Sequence, residues 1–383
     1  MKKIFYLLFA TIILASCTPK EEGIKVTVEN PSAFDRISEM VEIPVNDISA
    51  KLALPQDSVY IVKDANGEII PSQITYDNKL IFQSGLKANQ SAEFIITTGS
   101  PREFKALTYG RFIQERKDDF AWENDRVAFR AYGPALIPID GPSNGIDAWY
   151  KRTNELVVDK WYKNDLAGIA SYHEDHGEGQ DDYKVGRSLG AGAMAPYVND
   201  KLWLNENYAE QEVLENGPLR TTFRLTYKNL DVDGKSVGET RTISLDAGSQ
   251  LNKITQSYTI SEPMKVAAGF VKREKNDSIV AGKDYIIYAE PESKVVDKVF
   301  MGIIFPEGME KQIIDNYEIT GNKNQKIAYS HVLGVTSAHQ DKPVTYYAGF
   351  GWSKFGFDSI SAFETYIRNF KEGLYKPLVV SIK

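Results

Sequence analysis

The sequence predicts an all-β protein, and three observations carry that expectation. Short runs of alternating apolar and polar residues recur along the chain, the pattern of strands whose successive side chains point to opposite faces. Turn-forming residues separate these runs at regular spacing. A 3.6-residue apolar period is clear at one place only, near the C-terminus. The predicted architecture is a small N-terminal β-sandwich over 24–102. Over 103–383 many antiparallel strands would form two large facing sheets with few helices.

In order, Gly23-Ile-Lys-Val-Thr-Val-Glu-Asn30 alternates with period 2, and Met40-Val-Glu-Ile-Pro-Val45 follows. Val59-Tyr-Ile-Val-Lys63 and Ile69-Ile-Pro-Ser-Gln-Ile-Thr-Tyr76 flank a turn at Asp64-Ala-Asn-Gly67. Lys79-Leu-Ile-Phe-Gln83 and Ala92-Glu-Phe-Ile-Ile-Thr-Thr98 complete the small sandwich, and Gly99-Ser-Pro-Arg102 marks its boundary. Further strands are expected at 126–132, 219–227, 239–245, 251–260, 265–272, 285–289, 298–305, 328–335 and 344–352. Ser359–Glu372 reads as a helix with Phe363, Ile367 and Phe370 on one face and Gly373 as its stop. Pro377-Leu-Val-Val-Ser-Ile382 closes the chain as a strand. No repeat of 20–50 residues and no low-complexity tract is present.

The first 17 residues read as an address. Lys2 and Lys3 precede the apolar stretch Ile4–Leu14, too short to span a bilayer as a mature helix and suited to a secretory signal. Leu14-Ala-Ser-Cys17 resembles a bacterial lipobox, which implies lipidation at Cys17, the chain's single cysteine. A lipid there means anchored rather than spanning. Residues 18–23 would be a tether, with membrane contact through the lipid only. The mature chain would then hold no disulfide and no thiol nucleophile. The formal charge is −7, and loss of Lys2 and Lys3 makes it −9. No basic footprint for nucleic acid exists. An anionic substrate would need a local cluster of Arg, Lys or metal.

Residues 172–192 stand apart. They hold two of the four histidines, His173 and His176, with five carboxylates, two tyrosines, a lysine, an arginine and five glycines. No hydrophobic period runs through them, and glycine lets such a run turn tightly and gather its polar side chains. On a helix His173 and His176 would share a face, and on a strand they would oppose. The glycines favour a loop. With Glu174, Asp175 and Glu178 adjacent, a divalent metal is conceivable, although no metal-ligand spacing is completed; no other cofactor is indicated.

The segment Glu215-Asn-Gly-Pro-Leu-Arg-Thr221, a strand, then Leu245-Asp-Ala-Gly-Ser-Gln-Leu-Asn-Lys-Ile254 resembles the β-supersandwich of galactose-mutarotase-like proteins and of many polysaccharide lyases. Four blocks, Phe129–Leu136, Gly145–Arg152, Asp159–Tyr162 and Tyr172–Gly179, with Asp182–Arg187, are similar to a family of Bacteroidetes lipoproteins called domain of unknown function 4861. That resemblance implies a lipoprotein of the Gram-negative cell envelope, periplasmic or on the outer-membrane surface, kin to enzymes acting on uronic-acid oligosaccharides. The implied reaction is β-elimination by a lyase or dehydratase during polysaccharide degradation. It needs a base for the C5 proton, an acid for the departing O4 and a cation for the carboxylate.

The same blocks hold residue types for each role. His173, His176, Tyr172 and Tyr183 are candidate acids and bases, with Arg187 as a catalytic cation. Arg130, Tyr132, Asp147, Lys151, Tyr162, Glu174 and Asp182 are candidates for binding substrate, and Trp149 and Trp352 for packing against a sugar ring. Bland readings stand beside these. Arg130 and Tyr132 share one face of a strand and could be a surface ladder. Asp147 and Lys151 could simply pair. Trp161 reads as core, His331 as a structural histidine and His339 as exposed. Asp181 and Asp182 could bind a cation, orient a histidine or sit in water, and the whole segment could be a charged surface loop. Competing functions are a non-catalytic carbohydrate-binding lipoprotein, a mutarotase-like epimerase and a glycosidase.

Overall fold

The computed structural model describes residues 23–320, 325–339 and 342–383. Cys17 and the expected leader and tether lie outside the described residues. The chain is all-β with few helices, as its alternation predicts.

The first sandwich pairs two antiparallel sheets. One has the order Val379–Ile382, Ile24–Glu29, Ser91–Gly99, Val59–Lys63 and Ile69–Ile70; the other has Arg36–Pro44, Lys79–Leu86 and Ser72–Ile74. Alternation buries Val26, Val28, Val41, Ile43, Phe82 and Phe94 between them, and Phe82 and Phe94 meet with ring centroids 4.8 Å apart. The final strand, expected within the large part, instead adds to this sandwich's edge with Val26 opposite Ile382. Its alternating Val380 and Ile382 find the open edge of Ile24–Glu29 and pack on the same core.

The rest is built on an eight-stranded antiparallel sheet running Glu210–Asn216, Arg220–Val232, Lys235–Asp246, Leu251–Thr259, Val344–Trp352, Val299–Ile304, Tyr285–Ala289 and Ser278–Ala281. Two five-stranded sheets share its core. One contains Lys201–Leu202, Ala191–Val198, Val266–Val271, Lys326–Val335 and Lys311–Thr320. The other contains Gly179–Gln180, Ile146–Lys151, Ala128–Ala131, Asp119–Asn124 and Thr108–Ile113. Phe120, Trp122 and Phe129 of the last sheet meet Phe223 and Phe350 of the eight-stranded one, with Phe120 and Phe223 stacked at 4.1 Å.

Two helices matter. Ile360–Tyr375 is capped by the Ser359 hydroxyl, which accepts from the Ala362 N–H at 3.3 Å. It lays Phe363 and Ile367 on Leu251, Tyr285 and Phe300. It runs through Gly373, the expected stop, and ends before Pro377, whose ring disfavours helix at Lys376. Val158–Leu166 was not legible as a helix. Val157 and Val158 donate their N–H groups to the Glu123 carboxylate at 2.8 and 2.7 Å, which serves as the missing cap.

Candidate functional site

The site grows from the outer face of the sheet holding Asp119–Asn124, Ala128–Ala131 and Ile146–Lys151. Period 2 sends Phe120, Trp122, Phe129, Ala148 and Tyr150 to the main core. It therefore sends Asp119, Glu123, Arg130, Asp147, Trp149 and Lys151 the other way. That second face is covered by the helix Val158–Leu166 and the loop after it, where Trp149, Trp161, Tyr162 and Tyr172 form their own cluster. The polar side chains between these layers are thus buried, and each must find a partner.

Arg130 is the hub. It faces Asp147 directly across the strand register and donates Nε to its carboxylate at 2.9 Å. It also donates to Asp181 at 2.8 Å and to the Tyr172 hydroxyl at 3.3 Å, while Asp119 lies 3.9 Å away. Its guanidinium carbon sits 4.9 Å from the Tyr132 ring centroid and 5.2 Å from that of Trp149. Two acids in this cluster are pushed upward by burial. Asp119 rises to about 6, and Asp181, with Asp147 adding to the burial effect, to about 8. Burial also raises Tyr132 and Tyr162 well above the ordinary tyrosine range.

Tyr172 connects this buried cluster to the surface. Its oxygen accepts from Arg130 and from Arg116 Nε, the latter at 3.2 Å, and its own hydroxyl proton meets no acceptor among the described residues. Its ring stacks on Trp149 at 5.0 Å and touches the His173 ring at 4.4 Å. His173 is half exposed. Its Nδ1 lies 3.0 Å from the Asp181 carbonyl oxygen and 3.5 Å from the Asp181 carboxylate. Donation of Nδ1–H to that carbonyl leaves Nε2 with a free lone pair.

A cleft of about 250 Å³ opens beside Tyr172, lined among others by Lys160, Trp161, Asn164, His176 and Glu178. His176 is half exposed, with Nε2 3.1 Å from the Ser171 carbonyl oxygen. Glu174 is largely exposed on the rim, and Lys160 pairs with Glu178 at 2.7 Å. Gly177 and Gly179 have φ of +103° and +116°. A Cβ on Gly179 would stand 1.9 Å from the Tyr150 carbonyl oxygen, so glycine is what lets the loop dock on the sheet.

Several expected site residues take other roles. Trp352 is buried and donates to the Val296 carbonyl at 2.6 Å, so it is core rather than a sugar platform. Trp149 has no exposed surface. Lys151 and Asp147 do not pair: Lys151 is buried against Glu123 at 2.7 Å, and Asp147 is taken by Arg130. Arg130, almost fully buried with its donors engaged, braces the site instead of gripping substrate. Tyr162 is fully buried and its hydroxyl has no partner among the described residues. Tyr183 is buried and donates to the Gly190 carbonyl at 2.9 Å, a structural task. Asp182 is partly exposed, 3.7 Å from Lys184. Arg187 contacts none of this cluster: it donates to the carbonyls of Leu204 and Asn205. His331 is buried as expected, whereas His339, expected in solvent, is half-buried beside the Tyr258 ring. Among the described residues no three His, Cys, Asp or Glu side chains are grouped to hold a metal. Asp147 and Asp181 are already bonded to Arg130.

Arg116 and Asp119 belong to the site and carried no signal beyond a charged turn, Glu-Arg-Lys-Asp-Asp, before a strand. Asp119 could have been found by extending the alternation of Asp119-Phe-Ala-Trp-Glu123, which shares Arg130's face.

A family model described as Domain of unknown function (DUF4861) matches residues 28–380. A Formosa agariphila protein named Uncharacterized protein P7 is 30% identical over 397 residues, covering 99% of this chain and 98% of that one. Two solved structures from Enterococcus faecalis, a protein in the glycosyl hydrolase family 38 and an alpha-mannosidase, align over 94% of this chain at 10% and 9% identity, each with a TM-score of 0.46. The chain spans about half the length of each, 47% and 46%.

Proposed function

The chain belongs to the DUF4861 family, and from that premise we propose that it is a carbohydrate-active enzyme performing β-elimination on uronic-acid-containing oligosaccharides. One observation carries the proposal: Tyr172, a buried residue beside the cleft, has a hydroxyl that accepts from two guanidiniums and meets no acceptor among the described residues, and its ring touches that of a half-exposed histidine whose outer nitrogen is unengaged among them.

The chemistry divides among these groups. His173 Nε2 takes the C5 proton of the uronate. The C5–H electrons form the C4=C5 double bond as the C4–O4 bond breaks. Tyr172 gives its proton to the departing O4, and the guanidiniums of Arg116 and Arg130 stabilise the phenolate left behind. Arg116, less buried than Arg130 and 3.9 Å from Asp119, is the cation for the substrate carboxylate. Asp181 holds the His173 tautomer, and Trp161 and His176 line the space beside the sugar. The leaving group is a sugar in a lyase and water in a dehydratase. Lipid anchorage at Cys17 in the cell envelope fits an enzyme that meets oligosaccharides there.

The test is incubation of the purified chain with a panel of uronate oligosaccharides while following the ultraviolet absorbance of the conjugated alkene–carboxylate. Mass spectrometry then separates a loss of water from chain cleavage. Absorbance that appears with the unaltered chain and fails with His173→Ala supports the proposal. A flat trace across the panel defeats it.

A further inference from the structure

The segment 181–187 leads away from the His173–Asp181 pair and ends at a second cluster that the elimination chemistry does not use. Asp182 and Lys184 line the way, with Arg273 donating to the Lys184 carbonyl at 3.0 Å and lying over the Tyr183 ring. The segment is fastened at its far end. Ser143 Oγ donates to the Gly186 carbonyl at 2.8 Å, and the Tyr317 hydroxyl donates to the Arg187 carbonyl. Gly186 has φ +57°, and a Cβ there would stand 2.5 Å from the Tyr329 hydroxyl. The backbone therefore seats directly against that tyrosine.

Three features meet at this point. Tyr317 and Tyr329 face each other across the edge strand pair, their rings 5.6 Å apart and 17° from parallel, and both are partly exposed. His331 continues the stack beneath Tyr317 at 5.3 Å. Beside them Arg187 is partly buried, and no carboxylate among the described residues lies within ion-pair distance of it. Burial pulls it below the ordinary arginine range, and Glu206 acts only at longer range. Most partly buried arginines of this chain, such as Arg220 and Arg273, have a carboxylate partner. A half-buried guanidinium held in place by carbonyls, with spare donors and no anion of its own, is suited to an anion supplied from outside. The partly exposed edges of Tyr317 and Tyr329 beside it offer apolar contact to a sugar ring.

We propose that Arg187, Tyr317 and Tyr329 form a distal subsite that holds a second acidic sugar of the same oligosaccharide, reached from the elimination centre along residues 181–187. This subsite rests on the uronate reading of the Tyr172 centre. It makes the enzyme length-selective: an oligosaccharide long enough to occupy both places binds through both, and a shorter one through one.

The test uses the full chain carrying Tyr172→Phe, so that ligand is not consumed, and calorimetry with di- and tetrasaccharides of galacturonic, glucuronic and mannuronic acid. Arg187→Gln is expected to weaken tetrasaccharide binding on the order of tenfold and to leave the disaccharide unchanged. Tyr329→Leu should act in the same direction, and it keeps the test open should Arg187→Gln fold poorly. A carboxyl-reduced, neutral tetrasaccharide should not sense Arg187. Equal weakening of both lengths, no effect of either variant, or no tetrasaccharide binding at all overturns the subsite. Failure of the elimination reading appears separately, as absence of unsaturated product from the unaltered chain.

Discussion

The imidazole Nδ1 of His173 lies 3.0 Å from the backbone carbonyl of Asp181. That single contact decides which nitrogen of a half-exposed ring is free, because only a protonated Nδ1 can donate to a carbonyl. It also ties the ring to a residue that Arg130 holds through its carboxylate at 2.8 Å. The exposed base and the buried hub are thus joined through one aspartate.

His173→Ala is expected to lower kcat by about 10²–10⁴, the usual contribution of a general base. The ring is half exposed but packs on Tyr172 and is bonded to the Asp181 carbonyl, so stability should fall by about 1 kcal/mol. Turnover and thermal melting measured on one preparation check both parts, and an unchanged kcat removes His173 from the chemistry.

Arg116→Gln should raise KM on the order of tenfold, since it removes the more accessible cation while Arg130 still contacts Tyr172. Steady-state kinetics against ionic strength give the readout: the variant should lose part of the salt sensitivity of KM. Retention of the full salt response would place the carboxylate elsewhere.

Lys151→Met should cost about 3–5 kcal/mol of stability, because it strands the buried Glu123 carboxylate. That carboxylate also caps the helix Val158–Leu166, so loss of its lysine partner should loosen the cleft wall bearing Trp161. Denaturant unfolding measures the cost. A cost near zero would mean that the pair is not closed off from water as the structure has it.

Asp181 gives a pH signature. Its carboxyl is pushed up to about 8, first by burial and then by Asp147. Between the ordinary aspartate range and that value the folded chain holds a proton that the unfolded chain has released. Unfolding then releases protons, so this group makes stability fall as pH rises through the window. Asp181→Asn removes the titration while an amide oxygen can still accept from Arg130. Its melting temperature relative to the unaltered chain should therefore climb between about pH 5 and about pH 8. A pH-independent difference would contradict the raised value.

The strand alternation made the all-β class legible, because a face that must be buried writes itself into every second residue. It also placed Arg130 and Tyr132 on one face, which the structure bears out with the guanidinium over the ring. What alternation cannot tell is whether the other face is covered. Arg130, Asp147, Trp149 and Lys151 read as candidates for binding substrate, and a helix and loop from residues 158–181 bury them all. The helix escaped notice since its cap, Glu123, comes from a distant strand. The strand Lys311–Thr320, absent from the expected strands, lies at a sheet edge and carries Tyr317, whose hydroxyl donates to the Arg187 carbonyl, a pairing no local spacing encodes. Tyr172 and His173 could be singled out by composition alone, but the second guanidinium on Tyr172 comes from Arg116, 56 residues earlier in the chain.

The most direct measurement is the ultraviolet product trace of Tyr172→Phe beside the unaltered chain on whichever uronate oligosaccharide the latter turns over. Phenylalanine keeps the stack on Trp149 and removes only the hydroxyl between the two guanidiniums. Loss of the unsaturated product by a factor of about 10² or more, with the fold intact, is the expected result. A Tyr172→Phe protein that forms product at the unaltered rate would contradict the assignment of Tyr172 as the proton donor, and with it the centre built around that oxygen.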